Sequence, residues 1–233
     1  MNSANVLSLL KANKNNKGIQ KWNNQNTQKG KLKSFGIGLT VLRKLAKQIG
    51  RNHDLALKLW KNEYYDARII SILIDDPKQI TPEQAEAQIE HLDQGYLAHV
   101  FSTCGAPLSK TPFVVELAVI WMKSNDKIRR SCGYGLLYEI SKFKKKTTPG
   151  DEFFLDWIEH IGITFQNEYP SVQGSMGGAL MGMGKRNAKL NASALKIARS
   201  IGPIHFDSEG GKCEPFDVVK HLTSDYLKKK LSL

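Results

Sequence analysis

From Leu39 onward, nearly every stretch longer than eight residues spaces its apolar side chains three or four apart, a period that belongs to the α-helix. Leu39, Leu42, Leu45 and Ile49 fall on one face of a helix over Leu39–Ile49. Asp54 serves as N-cap or first-turn acid for the next stretch, which carries Leu55, Leu57, Leu59 and Trp60. Residues 65–74 continue the pattern until Asp75-Asp76-Pro77 stops it, because a proline disfavours helix at the residue before it. Thr81-Pro82-Glu83-Gln84 is a start signal, with a hydroxyl cap, proline at the first helical position and Gln84 at the third. Thr111-Pro112 predicts the same device again. Further helices are predicted over 126–143, 151–165, 171–184, 191–201 and 216–231. Alternating β-branched runs bounded by Asn-Gly or Asp-Gly turns are absent. The expectation is an all-α chain of about eleven or twelve helices joined by short Pro-, Gly- or Asn-bearing connections.

A series of helix pairs either stacks as an α-solenoid or folds as a globular bundle. No crisp repeat is visible, but helix–turn–helix units of about 35–45 residues suit degenerate HEAT-type repeats. Two stretches stand outside the pattern. Residues 13–34 are polar and rich in Asn, Gln and Lys around Trp22, and read as a loop or as a lysine-rich helix pinned by that tryptophan. Residues 202–215 read as a loop before the last helix.

Charge is distributed very unevenly. The 233 residues carry a net +12, with nine lysines and two arginines before the first acidic residue, Asp54. The remaining 180 residues are nearly balanced, with 23 basic and 22 acidic side chains. A pI near 9.5 points to a polyanion, with nucleic acid ahead of a membrane surface. A hydrophobic fraction of 41% argues against wholesale disorder. No apolar run reaches the roughly 18 residues of a membrane helix; the longest candidate, 112–122, is interrupted by Glu116. Residues 6–10 are too short for a signal-peptide core. Cys104, Cys132 and Cys213 are odd in number and widely spaced, which fits a reducing cytoplasm better than a disulfide framework.

Few constellations carry chemistry. Met183-Gly184-Lys185-Arg186 lacks both the earlier glycine and the Ser/Thr of a phosphate loop. The cluster Gly174, Gly177, Gly178, Gly182 and Gly184 sits in a helical stretch, where it reads as close helix packing or as close approach of a ligand. The histidines have no metal-ligand spacing, and neither metal nor cofactor is called for. His99 is a candidate general base, though a lone histidine more often serves structure. Lys144, Lys145 and Lys146 complement a helix C-terminus and would equally suit a phosphate backbone. Trp60, Trp121 and Trp157 read as core, whereas Trp22 amid lysines reads as an exposed, DNA-facing aromatic.

Several motifs in order carry a family resemblance. Phe35-Gly36-Ile37, Leu42-Arg43-Lys44-Leu45-Ala46-Lys47, Leu57-Lys58-Leu59-Trp60, Tyr65-Asp66-Ala67-Arg68 and Ile74-Asp75-Asp76-Pro77 are followed by Lys110-Thr111-Pro112-Phe113 and Trp121. Ile128-Arg129-Arg130, Gly133-Tyr134-Gly135-Leu136-Leu137, Ala179-Leu180 and Gly184-Lys185-Arg186-Asn187-Ala188-Lys189-Leu190-Asn191 complete the set. Together they resemble the AlkD-like DNA alkylation repair family over about residues 35–202. The resemblance implies an all-α superhelical solenoid of about six degenerate HEAT-like helix pairs, with a basic concave face for duplex DNA. It implies one repeat domain over 1–233, made of a basic segment 1–34, a repeat core 35–202 and a C-terminal loop and helix 203–233.

Active members of that family resemble glycosylases that release cationic alkylpurines such as 3-methyladenine or 7-methylguanine. An aspartate, two tryptophans and an arginine serve that chemistry. The carboxylate stabilises positive charge on the sugar, and the aromatic faces hold the cationic nucleotide. This sequence departs from the pattern there. The family's Asp-Ser-Trp-x-x-x-Asp segment falls on Asp93-Gln94-Gly95-Tyr96-Leu97-Ala98-His99, so Gly95 replaces the first tryptophan and His99 the aspartate. Shifting the register by one brings Tyr96 to the tryptophan position but no carboxylate four residues on. Gly178 replaces the second tryptophan and Met181 a usual arginine, while Arg130 keeps the basic position.

The first reading is therefore a cytoplasmic, monomeric DNA-binding protein, non-catalytic or catalytically altered, holding duplex, damaged or branched DNA. Lys21, Trp22, Lys29, Lys31, Lys33, Arg130, Lys144, Lys145, Lys146, Lys185 and Arg186 are the expected DNA contacts. An active alkylpurine glycosylase working through Asp93 or His99 is the second reading, and a helical-repeat protein scaffold the third.

Overall fold

In a computed structural model, the described residues are 1–25, 32–144, 148–205 and 214–232. They form α-helices and short 3-10 turns, with no strand among them beyond the isolated bridges Lys33–Tyr64 and Ile204–Phe216. The helices are α1 (Ser3–Ala12), α2 (Asn16–Gln25), α3 (Leu39–Ile49), α4 (His53–Trp60), α5 (Tyr65–Ile74), α6 (Pro82–Ile89) and α7 (Leu97–Ser102). After them come α8 (Val114–Met122), α9 (Lys127–Ser141), α10 (Asp151–Thr164), α11 (Pro170–Gly184), α12 (Ala188–Ile201), α13 (Val218–Leu222) and α14 (Asp225–Leu231). The chain divides into two compact units, Met1–Pro112 and Phe113–Leu233.

The first unit is built around α5. Its sequence is apolar on nearly every side, and such a helix must be covered all round: Tyr65, Ala67, Ile69, Ile70, Ile72 and Ile74 are all buried. α1, α3, α4 and α7 pack on it. Asp66, in the first turn of α5, is a fully buried carboxylate that ties a loop to this core. It accepts hydrogen bonds from the Ser34 hydroxyl (2.9 Å) and the backbone N–H groups of Phe35 (2.7 Å) and Ile37 (3.1 Å). Burial pushes its pKa up even though these bonds favour the charged form. The loop so held presents Gly36, at φ +68°, to Gly18 of α2 so closely that a Cβ on either would strike the other's backbone. α2 is thereby docked through glycine, and Asn15 N–H completes the joint on the Phe35 carbonyl (2.9 Å).

The second unit is built around the pair α9 and α11, flanked by α8, α12 and α13. Small residues set their approach. A Cβ on Gly133 would meet Met122 at 2.7 Å, one on Gly182 would overlap Ser141 and Tyr138, and one on Gly184 would meet Leu222 at 2.8 Å. Gly177 faces Ile204 and Phe216. Most of the glycine cluster is thus packing surface; Gly178 differs, with nothing within 4 Å of an added Cβ.

Local expectations met several revisions. Thr81 caps α6 as predicted, accepting from Gln84 N–H (3.2 Å), but the Gln84 side chain turns away to donate to Asp75 (2.7 Å). Thr111 does not N-cap α8: its hydroxyl donates back to the Leu108 carbonyl (2.9 Å), closing the 3-10 turn over Pro107–Lys110, and α8 starts only at Val114. The predicted helix over 216–231 is two helices, parted at Thr223, whose hydroxyl donates to the Val219 carbonyl (2.9 Å), and at Ser224. Residues 16–25 are the helical alternative of the 13–34 segment.

Candidate nucleic-acid interface

The cations of the first unit stand largely on its surface. Lys11, Lys14, Lys17 and Lys21 of α1, α2 and their connection are exposed, as are Arg43, Lys44 and Lys47 of α3. Lys33 is exposed and meets Glu63 at 2.9 Å, with both side chains about 60% open to solvent (62% and 61%), so the pair contributes little. Lys29 and Lys31 lie outside the described residues. Arg43, Lys47 and Arg51 follow one another at helical spacing and line a cavity of about 350 Å³ with Gly50, Gly105 and Pro107. None of these three was among the expected DNA contacts, although the four-residue spacing of Arg43 and Lys47 on one face of α3 is a readable signal; Arg51 lies past the Gly50 cap. Arg51 is partly committed, donating to the carbonyls of Leu73 (2.9 Å) and Asp75 (2.8 Å).

Trp22 is not the exposed aromatic that its lysine neighbours suggested. Its indole N–H donates to the Leu32 carbonyl (2.8 Å) and its ring lies 4.4 Å from the Tyr65 ring. Both rings close on Gly95, which sits at φ +55°; a Cβ there would stand 2.9 Å from each. The Tyr65 hydroxyl accepts the Tyr96 N–H (3.1 Å), and burial raises the phenol pKa to about 12. A large side chain cannot be placed at Gly95 in this arrangement, because Trp22 already fills the space.

Asp93, Gly95, Tyr96 and His99 are brought together on the turn into α7 and its first residues, all exposed. Asp93 acts on Arg68, whose pKa is lowered by burial and held up in part by that carboxylate. His99 lies against Thr103 (Nδ1 to Oγ1, 3.1 Å) and Cys104 (Nε2 to Sγ, 3.1 Å). Gly178 belongs to the second unit. Among the described residues no three His, Cys, Asp or Glu side chains converge as a metal site would need.

In the second unit Arg130 and Arg186 are engaged, whereas Arg199 of α12 is exposed. Arg130 forks onto Glu168 (Nε–Oε1 2.8 Å, Nη2–Oε2 2.9 Å) and donates to the Ser124 carbonyl (2.9 Å), an arrangement that raises its pKa. Arg186 donates to the carbonyls of Ser141 and Phe143, capping the end of α9, and lies 4.3 Å above the Phe154 ring. Lys185 is half-buried; burial and the charge of Lys230 lower its pKa. Lys144 is exposed, while Lys145 and Lys146 lie outside the described residues.

The sequence profile of the DNA alkylation repair enzyme family matches residues 6–203. The chain belongs to that family. Two relatives from Listeria are similar over most of their length. An uncharacterised protein of Listeria monocytogenes is 23% identical over 191 residues, and one of Listeria innocua 22% over 190, each match spanning 81% of both chains. Among solved structures, a protein described as one of "a new family of proteins related to the HEAT-like repeat DNA glycosylases with affinity for branched DNA structures" superposes with a TM-score of 0.81. That match covers 100% of this chain and 97% of the other at 19% identity. The DNA alkylation repair fold of this chain is therefore an all-α solenoid of HEAT-like type. Within the described residues no helix is long and apolar enough to cross a membrane.

Proposed function

We propose that this member of the DNA alkylation repair family binds duplex or branched DNA through its phosphates and does not excise bases. The observation that carries the reading is the set of exposed cations on α2 and α3, Lys17, Lys21, Arg43, Lys44 and Lys47, in a segment without a single acidic residue. Phosphate contacts position a protein on DNA without reading sequence. The affinity for branched DNA described for the structural neighbour supports extending the partner beyond simple duplex.

The absence of excision follows from chemistry. A sugar losing its base develops positive charge, and a preorganised carboxylate beside it is worth about 10²–10³-fold or more in rate. The position the resemblance gives to that carboxylate holds His99, and the position of one stacking tryptophan is Gly95, where the Trp22 ring from α2 stands in the way of a side chain. Binding titrations with duplex and four-way-junction DNA at two salt concentrations test the proposal. The expected log–log slope is about −0.9 for each phosphate engaged; absence of salt-sensitive binding at low salt refutes it. A release assay on methylated DNA run alongside is expected to stay at background. Base release lost in Asp93→Ala or His99→Ala would replace this reading with an active glycosylase.

A further inference from the structure

At the end of α7 the chain makes two left-handed residues in succession, Cys104 at φ +62° and Gly105 at φ +71°. Gly105 takes this conformation without cost. For Cys104 it is unfavourable, since its Cβ crowds the backbone. The turn nevertheless aims the Cys104 sulfur at the His99 ring, with Sγ 3.1 Å from Nε2. The Thr103 hydroxyl lies 3.4 Å from the same sulfur, on its other neighbour, and 2.6 Å from the His99 carbonyl. Cys104 is only partly covered, and the next residue, Gly105, lines the cavity walled by Arg43 and Lys47 of α3. A nucleophilic sulfur that is only partly covered thus meets an imidazole at hydrogen-bond distance, one residue from a cavity with a cationic wall. The other described cysteine, Cys132, is fully buried.

We propose that Cys104 and His99 form a thiolate–imidazolium pair that is a site of oxidative modification by hydrogen peroxide. The sulfur attacks one peroxide oxygen and the S–O bond forms as the O–O bond breaks. The departing hydroxide takes the proton from His99 and leaves as water. The products are a sulfenic acid on Cys104 and a neutral imidazole; the sulfur is oxidised by two electrons and the peroxide reduced by two. Burial works against the anion. The hydrogen bonds from His99 and Thr103, with the positive charges of His99 on α7 and Arg43 on α3, outweigh it, so the thiol titrates below its ordinary value.

Peptide mapping by mass spectrometry after brief peroxide and dimedone treatment of the full chain tests the site. Dimedone adduct is expected on Cys104 and not on Cys132. The companion measurement is the pH dependence of iodoacetamide alkylation at Cys104, read peptide by peptide. Its midpoint is expected below the ordinary thiol value near 8.5, and His99→Ala should move it upward and slow alkylation at pH 7 by roughly tenfold. His99 is exposed, so the variant should keep the helical circular dichroism of the parent. Equal labelling of Cys104 and Cys132, or a Cys104 pH profile that His99→Ala leaves in place, would overturn the proposal.

Discussion

The cations of α2 and α3 and the two arginines Arg130 and Arg186 of the second unit use positive charge in opposite ways. In Met1–Pro112 most cations of α2 and α3 end in solvent, and the one described ion pair of the basic segment, Lys33 with Glu63, is itself exposed. In Phe113–Leu233 Arg130 of α9 and Arg186 after α11 spend donors on the protein: Arg130 on Glu168 and a carbonyl, Arg186 on the carbonyls of Ser141 and Phe143 at and just past the end of α9. Net charge counts both kinds alike, but phosphate can recruit only the first without breaking native bonds. A guanidinium already forked onto a carboxylate would have to give up charge-assisted bonds to reach DNA.

This difference is most exposed to failure in binding. Replacing Lys17, Lys21, Arg43 and Lys47 together by alanine should lower DNA affinity at low salt by about 10²-fold and flatten the salt slope by about 3 to 4. Titration against the same duplex and junction at two or more salt concentrations checks it. An unchanged slope would mean that the exposed cations of the first unit are not the phosphate contacts.

The next effect concerns stability. Trp22→Ala removes an indole hydrogen bond and the ring that covers Tyr65 and Gly95. For a half-buried tryptophan the expected cost is about 2–3 kcal/mol in urea unfolding. If Trp22 served DNA instead, the variant would unfold like the parent and lose affinity. Arg130→Ala, the counterpart in the second unit, leaves Glu168 without its partner and should cost about 2 kcal/mol, with the DNA salt slope unchanged. A lost phosphate contact at Arg130 would show the reverse, a shallower slope at constant stability.

These variants also mark what could be read from sequence. The bounds of α3 and α5 follow from apolar spacing and from Asp75-Asp76-Pro77, because both helices are defined by local rules. The HEAT-like fold and the family were legible through the order of motifs such as Phe35-Gly36-Ile37 and Tyr65-Asp66-Ala67-Arg68. What joins those two motifs was not: Asp66 holds the 34–37 loop across about thirty residues of chain, and no periodicity reports such a bond. Trp22 was misjudged for the same reason. Its neighbours in sequence are polar, and its real neighbours, Leu32, Tyr65 and Gly95, are brought to it by the Gly18–Gly36 contact. The Thr111 start signal failed because a hydroxyl can donate backward to Leu108 as readily as accept forward. Neither the His99–Cys104 approach nor the alignment of Arg43 and Lys47 with Gly105 was predicted, since each depends on how α3 and α7 are placed around α5.

The smallest effect separates two glycines four residues apart on α11. Gly182 is wedged against Ser141 and Tyr138 of α9, so Gly182→Ala should destabilise the second unit by about 1–3 kcal/mol as the helices are forced apart. Gly178 has nothing within 4 Å, and its helical backbone gains from alanine; Gly178→Ala should stabilise by up to about 1 kcal/mol in the same urea titration. The resemblance sets a tryptophan at this second position, so its open space bears on binding as well. If the space is only a missing side chain, Gly178→Ala leaves DNA affinity as it was. A loss of affinity alongside the gain in stability would mean that DNA approaches the α11 backbone at Gly178, and the second unit would then contribute to binding although Arg130 and Arg186 are committed to the protein.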